Sequence, residues 1–154
     1  MGCAEFLARS LKIPCVSNFR NADILAGGQG APLVPIFHKA IFKKKKKFNL
    51  AVVNIGGISN ITWLGKKDRI LSSDIGPGNT LIDQFCEKKF NVPFDKNGFF
   101  SSKGNVNEKL LDSWMKYPFI KKQIPKSFDN FFFKLDNFFK SEEINNYDFI
   151  ATLT

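Results

Sequence analysis

The sequence predicts an α/β fold, a mixed sheet with flanking helices. Three observations carry this. Apolar runs of strand length follow one another at 50–55, 58–64 and 70–75. A helical stripe comes next, Leu81, Ile82, Phe85, Cys86 and Phe90. The length, 154 residues, is about one domain, and a chain of that size buries roughly 70% of its extended surface. With 44% apolar and 24% charged residues, wholesale disorder is excluded.

Each element has a local reason. Cys3, Phe6, Leu7 and Leu11 fall at helical spacing, and Lys12-Ile13-Pro14 ends that helix. Cys15-Val16-Ser17 reads as a brief strand. Residues 22–26 make a turn of helix before a glycine-rich bend at 27–32. Residues 33–42 are apolar, with Pro35 placing the helix start at Ile36. Gly56-Gly57 separates the first two strands, and 65–68 is a hairpin turn holding Lys67 and Asp68. Asn79 is placed to cap the helix that follows.

A polar loop at 93–104 comes next, with Asp95 tying it through local hydrogen bonds. Val106, Leu110, Leu111 and Trp114 mark another helix, with Asn105 and Glu108 in capping-box spacing and Pro118 as its stop. Residues 120–146 read as irregular, dense in phenylalanine at 128, 131, 132, 133, 138 and 139. Asp148 to Thr154 reads as the first turns of a last helix. Trp63, Trp114, Cys15 and Cys86 are expected in the core, and His38 on a packed helix face. No internal repeat is found.

Composition removes several function classes. Three cysteines without a CxxC pair, and a single histidine, leave no Cys/His set for structural zinc. A disulfide framework is not expected, which points to a reducing cytoplasm. No run approaches the roughly 18 apolar residues of a membrane helix, and residues 1–11 do not read as a signal peptide. The net charge of +9 raises nucleic acid as a partner. Its distribution argues against this: five lysines form one run at 43–47, and arginines are scarce.

Three short segments concentrate chemistry. They are Asp23 with Gly27-Gly28-Gln29-Gly30, Asn54-Ile55-Gly56-Gly57-Ile58-Ser59-Asn60, and Asp74-Ile75-Gly76-Pro77-Gly78-Asn79. Glycine lets a phosphate or sugar approach backbone N–H groups, and a helix after the third loop adds a dipole favourable to an anion. None matches GxxxxGK[ST] or GxGxxG. Asp23 and Asp74 are carboxylates suited to activating water or binding Mg²⁺; turn-capping is the structural alternative for Asp74.

These segments resemble one family, anhydro-N-acetylmuramic acid kinase. The strongest match runs from Phe19-Arg20-Asn21-Ala22-Asp23 through the glycine bend to Pro35 and on to Phe37-His38. The Asn54–Asn60 and Asp74–Asn79 segments follow, then Pro93-Phe94-Asp95-Lys96-Asn97-Gly98 and Gly104-Asn105-Val106-Asn107-Glu108. Pro118-Phe119, Pro125-Lys126-Ser127 and Ala151-Thr152-Leu153-Thr154 complete the series.

The resemblance implies the two-lobed actin, hexokinase and Hsp70-like (ribonuclease H-like) ATPase fold, with ATP and Mg²⁺ in the cleft and a small amino-sugar substrate. The implied reaction opens 1,6-anhydro-N-acetylmuramic acid with water and phosphorylates O6, in the cytoplasm, as a step of cell-wall recycling. Neither nucleic acid nor membrane is an implied partner, and a homodimer is compatible with the full-length protein. By position Asp23 matches the catalytic base, and Arg20 and Gln29 the sugar contacts. Asn54, Gly56, Gly57, Ser59 and Asn60 match a phosphate loop. Asp74 (substrate) and Gly76, Gly78 and Asn79 (cofactor) match a cleft loop beside substrate or the Mg²⁺ shell.

The sequence also departs from the family. It covers well under half of a member and lacks the first-lobe Gly-Thr-Ser phosphate loop and the C-terminal glycine-rich segment. Phe128-Asp129-Asn130 stands where members continue with Thr-Gly-Arg-Glu. On this reading 1–47 is the end of the first lobe with the interlobe connection, and 48–154 an incomplete second lobe. The isolated chain is then expected to be inactive. The competing readings are another sugar or acetate kinase of the superfamily, and a non-catalytic remnant.

Overall fold

A computed structural model of the chain describes residues 3–28, 30–42, 49–128, 132–138 and 144–154. Gln29, the lysine run at 43–47, Phe131 and Phe139 lie outside the described residues. Helices α1 (Ala4–Leu11), α2 (Asn21–Leu25) and α3 (Val34–Phe42) precede the strands β1 (Leu50–Ile55), β2 (Ile58–Leu64) and β3 (Ile70–Pro77). Then come α4 (Asn79–Phe90), α5 (Glu108–Trp114), α6 (Pro118–Lys121) and α7 (Asn146–Leu153), with 3-10 turns at Lys96–Gly98, Ser101–Lys103 and Leu135–Asn137. Among the described residues, no helix is long and apolar enough to cross a membrane.

The three strands form one sheet in the order β1-β2-β3, and both pairings are antiparallel. The expected mixed sheet is therefore corrected for these strands. Links of two and five residues return the chain beside itself, whereas a parallel neighbour needs a crossover of a dozen or more. Lys67 and Asp68 stand at φ 53° and 62°, the left-handed geometry of the β2–β3 turn, and Gly65 N–H closes that turn onto the Arg69 carbonyl at 2.9 Å. A Lys39–Asp68 ion pair at 3.4 Å links α3, which lies against β2 and β3, to this hairpin tip.

Cys15-Val16-Ser17 forms no strand, and Cys15 is exposed rather than core. The local pattern suited a strand, but no described strand pairs with it. Helix α3 starts at Val34, two residues earlier than expected, since Pro35 is tolerated in a first turn that lacks N–H acceptors anyway. β3 runs on to Pro77 because it pairs with Ile58 and Ser59. The N-cap of α4 is Gly78, not Asn79. Asn107, not Asn105, caps α5 by accepting from Leu110 N–H at 3.1 Å. Pro118 does not stop that helix: it opens α6.

The core lies among α4 to α7 and the phenylalanine-rich segment. Leu81, Phe85 and Cys86 from α4 meet Trp114, Phe119, Phe133, Leu135, Phe138, Phe149 and Ile150. Phe85 stacks on Phe149 with ring centroids 4.6 Å apart, and Trp114 meets Phe149 edge-on at 5.4 Å. Phe119 and Phe133 are edge-to-face at 5.0 Å. Such pairs add about 0.5–1.5 kcal/mol each beyond area burial. Gln84 fastens the incoming segment: its Nε2 donates to Phe133 O at 2.9 Å and its Oε1 accepts from Leu135 N at 2.8 Å. Trp63 is only half-buried, its ring lying across Gly65.

The outer edge of β3 is covered by residues 126–128. Asp74 N–H donates to the Lys126 carbonyl at 2.9 Å, and Lys126 N–H donates to Ser73 Oγ at 2.9 Å. Lys126 is buried, with its ammonium donating to the Phe119 carbonyl at 2.6 Å and the Ile120 carbonyl at 3.2 Å. These bonds satisfy a cation that burial would otherwise penalise.

Two predictions follow from the core. Phe85→Ala is expected to destabilise the chain by about 3–5 kcal/mol, read as a lowered urea midpoint. Burial, reinforced by the charges of Asp95 and Asp83, pushes the Cys86 thiol up to about 11. With Ellman's reagent at pH 8, Cys3 and Cys15 are expected to react promptly and Cys86 only after denaturant is added.

Candidate active site

The Asp23 segment is built by a short helix and a glycine bend. Asn18, at φ 57°, turns the chain so that Asn21 N–H meets its carbonyl, and α2 follows. Gly27, at φ 87°, reverses the chain. Gly28 N–H then donates to the Asp23 carbonyl at 2.7 Å. Gly30 N–H donates to Asp23 Oδ2 at 2.7 Å, and Arg20 Nη1 donates to the Gly30 carbonyl at 2.6 Å. Both polar groups of Gly30 are thus held by charged side chains, the stronger kind of hydrogen bond. A Cβ on Gly28 would overlap the Asp23 carboxylate, and one on Gly30 would press on Ile24 at 2.9 Å. The glycines here make room for the carboxylate and its clamp.

The other two segments meet each other. Gly78 and Thr80 N–H donate to the Gly57 carbonyl at 2.9 and 3.2 Å, and Asn79 N–H donates to Gly56 O at 2.8 Å. Asn79 Nδ2 reaches the Ile55 carbonyl at 3.4 Å, and Thr80 Oγ1 donates to Gly57 O at 2.7 Å. Ser59 Oγ donates to the Pro77 carbonyl at 3.3 Å. A Cβ on Gly78 would overlap the Gly56 carbonyl. The first N–H groups of α4 are taken by the Gly56–Gly57 turn. Thr80 was missed by sequence reasoning; a hydroxyl directly after the glycine-Asn pair was its one signal.

The register aligns a polar row. Asn54 is opposite Asn60, and Asn60 is opposite Asp74, with a bulge between Ser59 and Asn60. Directly paired residues share a face, so the three lie side by side next to the glycine turn. Asp74 Oδ2 accepts from Phe128 N–H at 2.8 Å, which orients the carboxylate. Ser59, Gly76 and Gly78 also border a largely apolar cavity of about 360 Å³ that reaches Trp114, Phe119 and Phe138. Among the described residues, the hydrogen bonds of 18–30 run within that segment and none joins it to these turns.

A phosphate-bearing ligand can be tested against these groups. Among the described residues, a Cβ on Gly56 would meet nothing nearer than 3.6 Å, so their packing does not require glycine there. The Gly57 N–H, in an exposed turn, donates to none of the described residues. Space at Gly56 and a donor that is unpaired among the described residues fit a phosphate oxygen. Among the described residues no three His, Cys, Asp or Glu side chains form a metal cage. Mg²⁺ needs none, since it usually keeps waters and substrate phosphates as ligands.

Beside α4, burial opposes the charge of Asp95, but N–H groups of Phe100, Ser101 and Phe99 and the Ser101 hydroxyl outweigh it and hold the carboxyl below its usual range. The bonds from Phe100 and Ser101 N–H are 2.8 and 3.0 Å. Asp83, on α4, is raised by burial.

The chain is thus an α/β unit that presents two glycine-built polar turns, one of them holding a clamped carboxylate. The whole chain, residues 1–154, matches the family model of anhydro-N-acetylmuramic acid kinase, and it belongs to that family. It is 45% identical over 161 residues to the anhydro-N-acetylmuramic acid kinase of Clostridioides difficile, an alignment covering 100% of this chain and 42% of that protein. The protein of the same name from Haemophilus influenzae is 46% identical over 127 residues, 82% of this chain and 33% of that protein. The one from Rhodopseudomonas palustris is 41% identical over 130 residues, 84% and 35% respectively. The chain thus spans well under half the length of these relatives.

Asp95 supplies a pH prediction. Its folded pKa is depressed, so its stabilising contribution is complete above the unfolded value of about 3.9 and is lost as pH falls through the folded one. Asp95→Asn is expected to be less stable than the parent sequence at pH 7, with the gap narrowing at pH 2–3. Urea titrations at both pH values read this.

Proposed function

We propose that this sequence serves the ATP-dependent hydrolytic phosphorylation of 1,6-anhydro-N-acetylmuramic acid to N-acetylmuramic acid 6-phosphate, in the cytoplasm. The observation that carries the reading is the Asp23 clamp: Oδ2 is fixed by Gly30 N–H, itself braced by Arg20, within the segment of closest family resemblance. Asp23 is the general base. It takes a proton from water, the water oxygen bonds to the anomeric carbon, and the bridging bond from that carbon to O6 breaks. ATP supplies the phosphoryl group that O6 receives, with Mg²⁺ neutralising its charge.

Arg20 and Gln29 contact the sugar, and Gln29 lies outside the described residues. Asn54, Gly56, Gly57, Ser59 and Asn60 form the phosphate loop, supported by the Gly57 N–H and the open space at Gly56. Asp74 borders substrate, and Gly76, Gly78 and Asn79 shape the cofactor side of the same turn. Residues 1–47 form the end of a first lobe, and 48–154 part of a second, in the ribonuclease H-like ATPase fold. The antiparallel hairpins followed by α4 agree with such a lobe.

The test places this chain in the matching segment of the Clostridioides difficile relative and follows N-acetylmuramic acid 6-phosphate formation. The chimera is expected to turn over. Asp23→Asn in it is expected to lower kcat by about 10²–10⁴-fold while ATP affinity stays within about twofold. Unchanged turnover in Asp23→Asn overturns the role of the base.

A further inference from the structure

We propose that Thr80 is a positioning residue that holds the Gly56–Gly57 turn so that the Gly57 N–H faces a phosphate oxygen. This rests on the phosphate-loop reading above and adds a residue to it. Four hydrogen bonds set the two peptide planes. Gly56 O takes Asn79 N–H at 2.8 Å, and Gly57 O takes Gly78 N–H at 2.9 Å, Thr80 N–H at 3.2 Å and Thr80 Oγ1 at 2.7 Å. The hydroxyl makes the shortest of the four.

In a trans peptide the C=O and N–H point in opposite directions, and the Gly56–Gly57 bond is trans. With Gly56 O turned onto α4, the Gly57 N–H is turned away from it, and it donates to none of the described residues. A carbonyl that accepts a hydrogen bond polarises its own peptide and strengthens the donor at its other end. The dipole of α4 therefore acts on the ligand through the Gly56–Gly57 peptide, because its own first N–H groups are occupied. Gly57 O belongs to the next peptide, Gly57–Ile58, so Thr80 pins the far side of the residue whose N–H is the donor; removing its hydroxyl leaves Gly57 O held by backbone N–H groups alone and frees Gly57 to rotate about its own φ and ψ.

The experiment titrates the chimera described above, ¹⁵N-labelled at glycine, with inorganic triphosphate and follows the amide spectrum. In the parent sequence the Gly57 amide is expected to show one of the largest downfield proton shifts. Thr80→Val is expected to keep a folded spectrum, to bind triphosphate roughly three- to tenfold more weakly and to show a smaller Gly57 shift. Thr80→Ser, which keeps the donor, is expected to bind within about twofold of the parent. Normal binding by Thr80→Val, or failure of Thr80→Ser to restore it, overturns the role of Thr80 and leaves the phosphate loop standing. No Gly57 shift in the parent at saturating triphosphate overturns both, and that outcome does not depend on any variant folding.

Discussion

The close approach of Gly78 to the Gly56 carbonyl is the constraint around which the second half of the chain is arranged. It brings the start of α4 against the β1–β2 turn, with no side chain between them. That contact lets two carbonyls of the turn satisfy N–H groups that every helix leaves open at its N-terminus. It also fixes where α4 departs from the sheet, and so where Leu81, Phe85 and Cys86 enter the core. Turn, helix and core are coupled through one pair of glycines.

The core itself is unusual in composition. Among the described residues, phenylalanine supplies five of its ten buried members, namely Phe85, Phe119, Phe133, Phe138 and Phe149. Those from the irregular segment have no helix or strand to orient them. Gln84 does part of that work by pairing with the backbone at 133 and 135 as a neighbouring strand would. Gly104 does the same for the loop before α5, where a Cβ would overlap the Tyr147 carbonyl. Asp148 and Thr152 of α7 then accept from Asn105 and Asn107 N–H, so the last helix organises a loop some forty residues earlier.

The two polar regions use different physics. Around Asp23 charged side chains grip the N–H and the carbonyl of a single glycine residue, and the carboxylate direction depends on Arg20, Gly28 and Gly30 together. At the hairpin turn the chain uses backbone groups and side-chain amides and hydroxyls instead. Asp74 joins that region through register, as the end of a row with Asn54 and Asn60, and its own direction is set by Phe128 N–H.

Most of this outline could be read from the sequence. Period-two and period-3.6 patterns are local, so the three strands, the hairpin turn and the helical stripe of α4 were legible, as was the loop-tying role of Asp95. The resemblance over eight segments points to the family from the residues alone. The sequence alone could not decide which groups meet at long range. Cap assignments moved from Asn79 to Gly78 and from Asn105 to Asn107, because caps depend on where the chain enters the helix, not on residue type alone. Cys15 reads as core but is exposed, since burial needs a partner surface that local pattern does not supply. The closed N-terminus of α4 and the hydroxyl of Thr80 on Gly57 O are tertiary facts: they arise only when residues more than twenty positions apart share one turn.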